Sequence, residues 1–482
     1  MQSLLKGFTV QINPFSSLAE LSQALAQGEC SALELATLYL DRIRIADAAL
    51  HAYVSVDEES VQMQARASDL RRAAGHSLGE LDGLPIAIKD LCEVQGQRTG
   101  CGSLAWKDRR SAVTATVVQR LRMAGMVVLG KTHMVEFAFG GWGTNPLLGT
   151  PRNPWDLNVH RVPGGSSSGS GVAVASGLAP AAIGSDTGGS VRIPSALMGI
   201  TGLKTTAGLI SLHGVAPLST TLDSIGPMTQ TVADAAMLTQ AMAGPDVRDL
   251  ATLRAPVADY RAALEGGSSL AGLRIVSLPR EQFPGGVEAD VLTAYVRALE
   301  VMRSLGATVL ERPFPFDFAD LMRRNGQVIS AEAWSQLGAI ASDGKAPVGD
   351  AVRARVMSGA SITVGDYIHA LSHRQASCEQ WHVWMSDADA LLTPTLPMVA
   401  CSLVQVDESA TPLSTFTRAG NYLGSSALTL PAGLSSEGLP IGIQLMGKRF
   451  DEATLVRAGC AFQVATDWHR RTPDLARLFE NS

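Results

Sequence analysis

Residues 164–190 read GGSSSGSGVAVASGLAPAAIGSDTGGS, and no other stretch restricts the fold as tightly. A Gly/Ser tract without apolar content behaves as a flexible linker. Here VAVA and LAPAAIG interrupt the tract, and apolar runs of that kind belong in a core. Dense small residues let backbone segments approach closely and let turns take positive φ. The stretch therefore predicts a compact buried site, not a hinge between domains.

The rest of the chain reads as alternating helices and strands around that site. Ser17 with Glu20 and Ser31 with Glu34 form capping-box patterns, and Gly28 stops the first of the two helices they open. A third helix is predicted over about 57–74. DGLPIAIKD (82–90) is a strand behind a turn signal, followed by a helix over 114–124 and a strand over 126–129. GLRIVSLP (272–279), a helix over 288–304 and ATVLERP (307–313) make a βαβ-like unit. Residues 314–385 read as mostly helical. ADALLTPTLP (388–397), SSALTLPAG (425–433) and LPIGIQLMG (439–447) are strands, the last followed by a helix from Asp451. Hydrophobic residues make up 46% of the 482, ample for one large α/β domain with a central mixed, mostly parallel sheet covered by helices.

Several function classes drop out. A formal charge of −6 with no basic block predicts no nucleic-acid partner. No apolar run approaches the ~18 residues of a membrane span, and MQSLLKGFTVQINPF lacks an export signal, so no membrane partner and a cytoplasmic address are expected. The six cysteines are scattered, and His369 and His373 share a helix face without a third ligand nearby. No metal and no cofactor are expected. GMVVLGKT (125–132) matches the phosphate-loop pattern, but its middle residues are strand formers and a helix precedes it. Gly125 ends that helix, MVVL is a buried strand, and Lys131 sits just past it.

Two serine-bearing turns remain. GSSSG (165–169) fits a nucleophile elbow on Ser167, yet NVHRVPGG ahead of it is no entering strand. SDTGGSVRIP (185–194) is better placed, with AAIG as a short strand leading in. Its two glycines before Ser190 can aim successive N–H groups into one concavity suited to an oxyanion. Lys89, ending the strand LPIAIK, is a candidate base on the same strand face as Pro85 and Ala87.

These segments resemble the amidase signature family of amide hydrolases. Gly164 through Ser195 fits the signature throughout, as do the 24-residue separation of Ser166 and Ser190 and a lysine ending a strand well upstream. LGKTHMVEFAFG, GTPRNPWD, TGLKTTAGLIS and GLPIGIQLMG also resemble family segments. The resemblance implies a single amidase domain over 1–482: N-terminal helices at about 15–75, the signature core at about 80–230, a helical substrate-side region at about 314–385, and C-terminal strands and helix at about 388–465. It implies Ser190 as nucleophile, Ser166 after a cis Gly165–Ser166 bond as proton relay, and Lys89 as general base. N–H groups of Thr187, Gly188, Gly189 and Ser190 would hold the oxyanion, with Asp186 and Arg192 supporting the turn. Such a base must be neutral, whereas at an ordinary pKa near 10.4 only about one lysine in 2,500 is neutral at pH 7.

The substrate implied is a small amide, aryl or aliphatic, or a carbamate, cleaved by a free-standing enzyme for which a homodimer is left open. Ala138, Gly140, Gly141 and Trp142 are expected to border the pocket, with Trp142 equally readable as core. The alternative is the A subunit of glutamyl-tRNA amidotransferase, of similar length. That protein carries S-S-T-E where this chain has GGWGTN (140–145), and its Arg–Tyr segment is replaced here by SAEAWSQLGAIA.

Overall fold

The computed structural model describes residues 12–256, 258–264 and 267–480. The reading of no export signal rests on residues 1–15, of which 1–11 lie outside the described residues. In chain order the strands are β1 (Tyr53–Val56), β2 (Pro85–Lys89), β3 (Val127–Thr132), β4 (Ala181–Asp186), β5 (Thr201–Lys204) and β6 (Ser224–Thr229). Then come β7 (Arg274–Ser277), β8 (Thr308–Glu311), β9 (Ala390–Pro394), β10 (Ala427–Leu434) and β11 (Pro440–Gly447). They form one sheet in the order β1-β3-β2-β4-β6-β5-β10-β11-β9-β7-β8.

The sheet is mixed, but not mostly parallel as expected. β2 runs parallel to β3 and β4, and β7 parallel to β8 and β9. The other six pairings are antiparallel. The physical reason lies in the connections. β10 returns directly into β11 through the short turn at 435–439, and such a turn can join only antiparallel strands.

Helices cover both faces, so strands such as β2, β4 and β11 are buried along their whole length. The N-terminal layer is α1 (Leu18–Gln27), α2 (Ala32–Leu50) and α3 (Glu58–Ala73); both capping boxes form, and Gly28 ends α1 in the left-handed conformation. α4 (Thr116–Met123) stops ahead of Gly125, whose φ is +85°, and delivers the chain into β3. α5 (Ser168–Ala175) and α6 (Arg192–Met198) lie against the middle of the sheet and against each other. VAVA is thus a buried helix. Its start approaches so closely that a β-carbon on Gly169 would meet the Ala52 carbonyl oxygen at 2.2 Å. α7 (Val232–Met242) and α8 (Ala289–Ser304) follow, then α9 (Phe318–Ser342), α10 (Asp350–Ser358) and α11 (Val364–Trp384), which form the helical region predicted at 314–385. α12 (Thr417–Tyr422) and α13 (Glu452–Ala465) complete the helices used below.

Candidate active site

Lys89 is the last residue of β2 and is 0% exposed. Its Nζ donates to Ser166 Oγ at 2.7 Å and to Ser185 Oγ at 2.8 Å. Both partners are neutral hydroxyls, and no carboxylate among the described residues forms an ion pair with it. Burial pushes its pKa down to about 7, with Cys92, Asp223 and Asp186 opposing that shift only in part. That shift brings the neutral amine within reach near neutral pH, where an ordinary lysine is almost wholly charged.

Ser166 is fully buried and follows a cis Gly165–Ser166 bond, where the resemblance placed one. Its carbonyl accepts from the Val135 N–H at 3.1 Å, and the Ser167 N–H donates to the Ser190 carbonyl at 3.3 Å. The two serine loops are thereby tied together. Ser190 is 7% exposed, and its Oγ makes no hydrogen bond to any described residue, Ser166 included. The link from Lys89 to Ser166 is made, and the link from Ser166 to Ser190 is open in the free chain. Such bonds commonly tighten only in the substrate complex.

The turn from Asp186 to Ser190 is fixed from below. Arg192, fully buried, donates to both carboxylate oxygens of Asp186 at 3.0 Å and also reaches Gln444 Oε1 and Asn421 Oδ1. Burial would raise the Asp186 carboxyl, but Arg192 outweighs it, aided by Lys204 and Asn421, and holds the group well below the usual carboxylate range. The same carboxylate accepts the Gly189 N–H at 2.8 Å. Of the expected oxyanion donors, Gly189 is thus committed to Asp186, leaving the N–H groups of Thr187, Gly188 and Ser190 without a partner among the described residues. Gly189 has φ +130°, and a β-carbon there would meet Thr417 Oγ1 at 2.3 Å, so only glycine fits. Thr187 Oγ1 donates to Asp223 Oδ1 at 2.5 Å, anchoring the other side of the turn.

A cavity of about 710 Å³ opens over this turn, lined by Ser190, Gly188, Ile193, Leu218, Ile329 and Arg418 among others. Ala138, Gly140 and Gly141 line it, together with Phe139. Trp142 does not. It is 4% exposed, and its indole N–H donates to the carbonyls of Asp407 and Ala410, so it acts as core under the 407–410 loop. A larger cavity of about 1060 Å³ is lined in part by Asp223 but includes none of Lys89, Ser166 and Ser190. Ser190 opens into the smaller one.

Other candidates are placed away from this chemistry. Ser167 is fully buried at the start of α5, with its hydroxyl bonded to the Ser185 backbone and no entering strand, which removes the elbow reading. Lys131 donates to the Cys92 carbonyl and Thr99 Oγ1 inside the core. Among the described residues, no three His, Cys, Asp or Glu side chains converge in a way that could hold a metal ion, and no helix is long and apolar enough to cross a membrane. Sequence reasoning overlooked Ser185 as a partner of Lys89, Asp223 behind Thr187, and the arginines of the cavity. Ser185 was signalled by its position two residues beyond Ile183 on β4, beside β2.

A model of the family described as Amidase matches residues 34–456. The chain is 41% identical to the A subunit of glutamyl-tRNA(Gln) amidotransferase from Chloroflexus aggregans, over 94% of this chain and 97% of the relative. It superposes on the native peptide amidase of Stenotrophomonas maltophilia with a TM-score of 0.82 at 30% identity, covering 95% of this chain and 98% of that one. The crystal structure of the amidotransferase A subunit from Thermotoga maritima gives a TM-score of 0.77 at 32% identity, covering 92% and 93%. Relatives named as A subunits of a tRNA amidotransferase overturn the expectation of no nucleic-acid partner. Net charge was a poor guide because one protein of a complex can leave contact with nucleic acid to its partners.

Proposed function

This chain belongs to the Amidase family, and on that premise we propose that it cleaves an amide carbon–nitrogen bond through an acyl-enzyme on Ser190. The observation that carries the chemistry is Lys89, buried, lowered to about 7 and bonded to Ser166. Neutral Lys89 takes a proton from Ser166 as Ser166 takes one from Ser190, and Ser190 Oγ attacks the substrate carbonyl. The oxyanion settles against the free N–H groups of Thr187, Gly188 and Ser190. The proton now on Lys89 returns through Ser166 to the leaving nitrogen, which cannot depart as an amide anion. Water then repeats the attack on the acyl-enzyme and releases the acid.

As to setting, we read the chain as the A subunit of a glutamyl-tRNA(Gln) amidotransferase, a cytoplasmic enzyme in which this chain would release ammonia from glutamine. Support for this comes from near full-length identity of about 40% to proteins of that name. A second reading, a free-standing amidase or carbamate hydrolase, is favoured by the closer superposition on peptide amidase than on the Thermotoga maritima protein. The departures at 140–145 and 330–341 point the same way. Assay of the purified chain separates the two. Glutamine hydrolysis that appears only with partner proteins and charged tRNA supports the amidotransferase role. Turnover of simple amides by the chain alone, at roughly 1–1,000 per second, supports the free-standing enzyme. Failure of both sinks the amide-cleaving role.

A further inference from the structure

Two buried carboxylates grip the turn from Asp186 to Ser190, and they do so differently. Asp186 is paired with Arg192 and accepts the Gly189 N–H. Asp223, just ahead of β6 and 6% exposed, forms no ion pair with any described residue. Its Oδ1 accepts from Thr187 Oγ1 at 2.5 Å. Its Oδ2 accepts the N–H groups of Leu218 and Ser219 at 2.9 and 3.0 Å. One carboxylate thus ties Thr187, whose N–H is free for an oxyanion, to Leu218, which lines the cavity over Ser190.

The loop that carries Asp223 has supports of its own. Glu332, on α9, accepts from the hydroxyls of Ser219 and Thr221, from the Thr221 N–H at 3.1 Å and from the Tyr367 hydroxyl at 2.6 Å. Ser224, the next residue, donates its hydroxyl to the Asp186 carbonyl at 3.2 Å, and β6 pairs with β4 from there. Asp223 therefore reaches the turn from a fixed base. A buried carboxylate without a cation is unfavourable unless donors meet its lone pairs. Burial pushes it up to about 6, its three donors opposing and Glu332 adding to the rise, and it remains an ionised acceptor above neutrality. A charged acceptor holds a hydroxyl more tightly than a neutral one. Oxyanion donors work by being fixed before charge develops, so a hold on the first residue of their turn bears directly on their aim.

We propose that Asp223 is a positioning residue for the oxyanion: through the Thr187 hydroxyl it holds the N–H groups of Thr187 and Gly188 toward the place where the substrate carbonyl oxygen becomes charged. This rests on the acyl-enzyme reading above and adds to it a residue that lines the larger cavity, not the one over Ser190.

The test is saturation kinetics of fluorophosphonate labelling of the full chain at pH 8, which separates probe binding (KI) from bond formation at Ser190 (kinact). Attack on the probe places charge on its phosphoryl oxygen, where a carbonyl oxygen would carry it. The time course reads only the fraction that labels, so unfolded protein lowers the amplitude and not kinact. Thr187→Val should lower kinact by at least about tenfold with KI within about threefold of wild type. Thr187→Ser, which keeps the hydroxyl, should restore most of that loss. Asp223→Ala should lower kinact by at least about tenfold in the wild-type chain and by less than about threefold once Thr187→Val is present. A smaller loss in Thr187→Val, no recovery in Thr187→Ser, or fully additive effects of the two substitutions overturns the proposal. The two Thr187 variants decide it even if Asp223→Ala fails to fold. Labelling at Ser190 that ignores both residues defeats the anchor alone, whereas a wild-type chain that does not label at Ser190 defeats the hydrolase reading and the anchor with it.

Discussion

Neighbouring strands β2 and β3 each bury a lysine near the same end, and only one is suited to chemistry. Lys89 is 0% exposed and Lys131 1%, and burial lowers the pKa of both. Their partners differ. Lys131 donates to the Cys92 carbonyl and Thr99 Oγ1, with Asp90 at 3.9 Å to support its charge. Among the described residues Lys89 bonds to hydroxyls alone, and a hydroxyl can accept from an ammonium or pass a proton to an amine. Burial makes a lysine reluctant to be charged; the partners decide whether it can exchange protons with a nucleophile. This contrast also disposes of the GMVVLGKT stretch, whose lysine holds loops together inside the core.

The largest expected effect separates the two lysines outright. Lys89→Met should cut amide hydrolysis by about 100–10,000-fold, whereas Lys131→Met should leave the properly folded fraction within a few-fold of wild type. Steady-state kcat/KM on one good substrate decides it; equal losses would erase the contrast. Ser166→Ala should fall in the same range as Lys89→Met, because the proposed proton relay from Ser190 reaches Lys89 through the Ser166 hydroxyl.

Stability should move in opposite directions. In the unfolded chain Lys89 titrates near 10.5, and folding lowers that to about 7. Between those values the folded state binds fewer protons, so its contribution to stability rises with pH across that window and is least favourable below 7. Lys89→Met removes a penalty on the order of 5 kcal/mol at low pH and should flatten the rise. Lys204, also lowered to about 7 by burial, adds a similar slope to both proteins, so the readout is their difference in urea unfolding from pH 6 to 10. Lys131→Met, by stranding the Cys92 carbonyl, should instead destabilise by about 1–3 kcal/mol. A Lys89→Met protein with the wild-type slope would mean that Lys89 is not depressed.

The smallest effect concerns Ser185, the other hydroxyl on Lys89. Ser185→Ala should slow hydrolysis by roughly tenfold or less, since it removes a hydrogen bond of about 1 kcal/mol and no step of the relay. A loss as large as that of Ser166→Ala would make Ser185 a member of the relay.

How much of this could be read from residues alone differs between the same regions. The strand ending at Lys89, the helix stop at Gly125 and both capping boxes are local signals and were legible. β5 and β6 were not, for a physical reason. TGLK and SIGPMT carry glycine, and β6 has Pro227 inside it, which argues against a central strand. Pairing with β4 overrides that preference. Trp142 faces the core and Arg418 the cavity because of packing by distant segments, 407–410 for one and α9 for the other. The commitment of Gly189 to Asp186 is likewise a tertiary event that a Gly-Gly-Ser motif does not reveal.

The central claim is that neutral Lys89 activates Ser190, and the rate of fluorophosphonate labelling across pH 5–10 tests it without reference to substrate or partners. Wild-type labelling should map to Ser190 and rise with pH through a single midpoint near 7 to a plateau, because only neutral Lys89 can accept the proton. Lys131→Met should keep that midpoint, and Lys89→Met should be slow and flat. A Lys89→Met protein that labels at the wild-type rate with the same midpoint, or an adduct found on Ser167, would contradict the account.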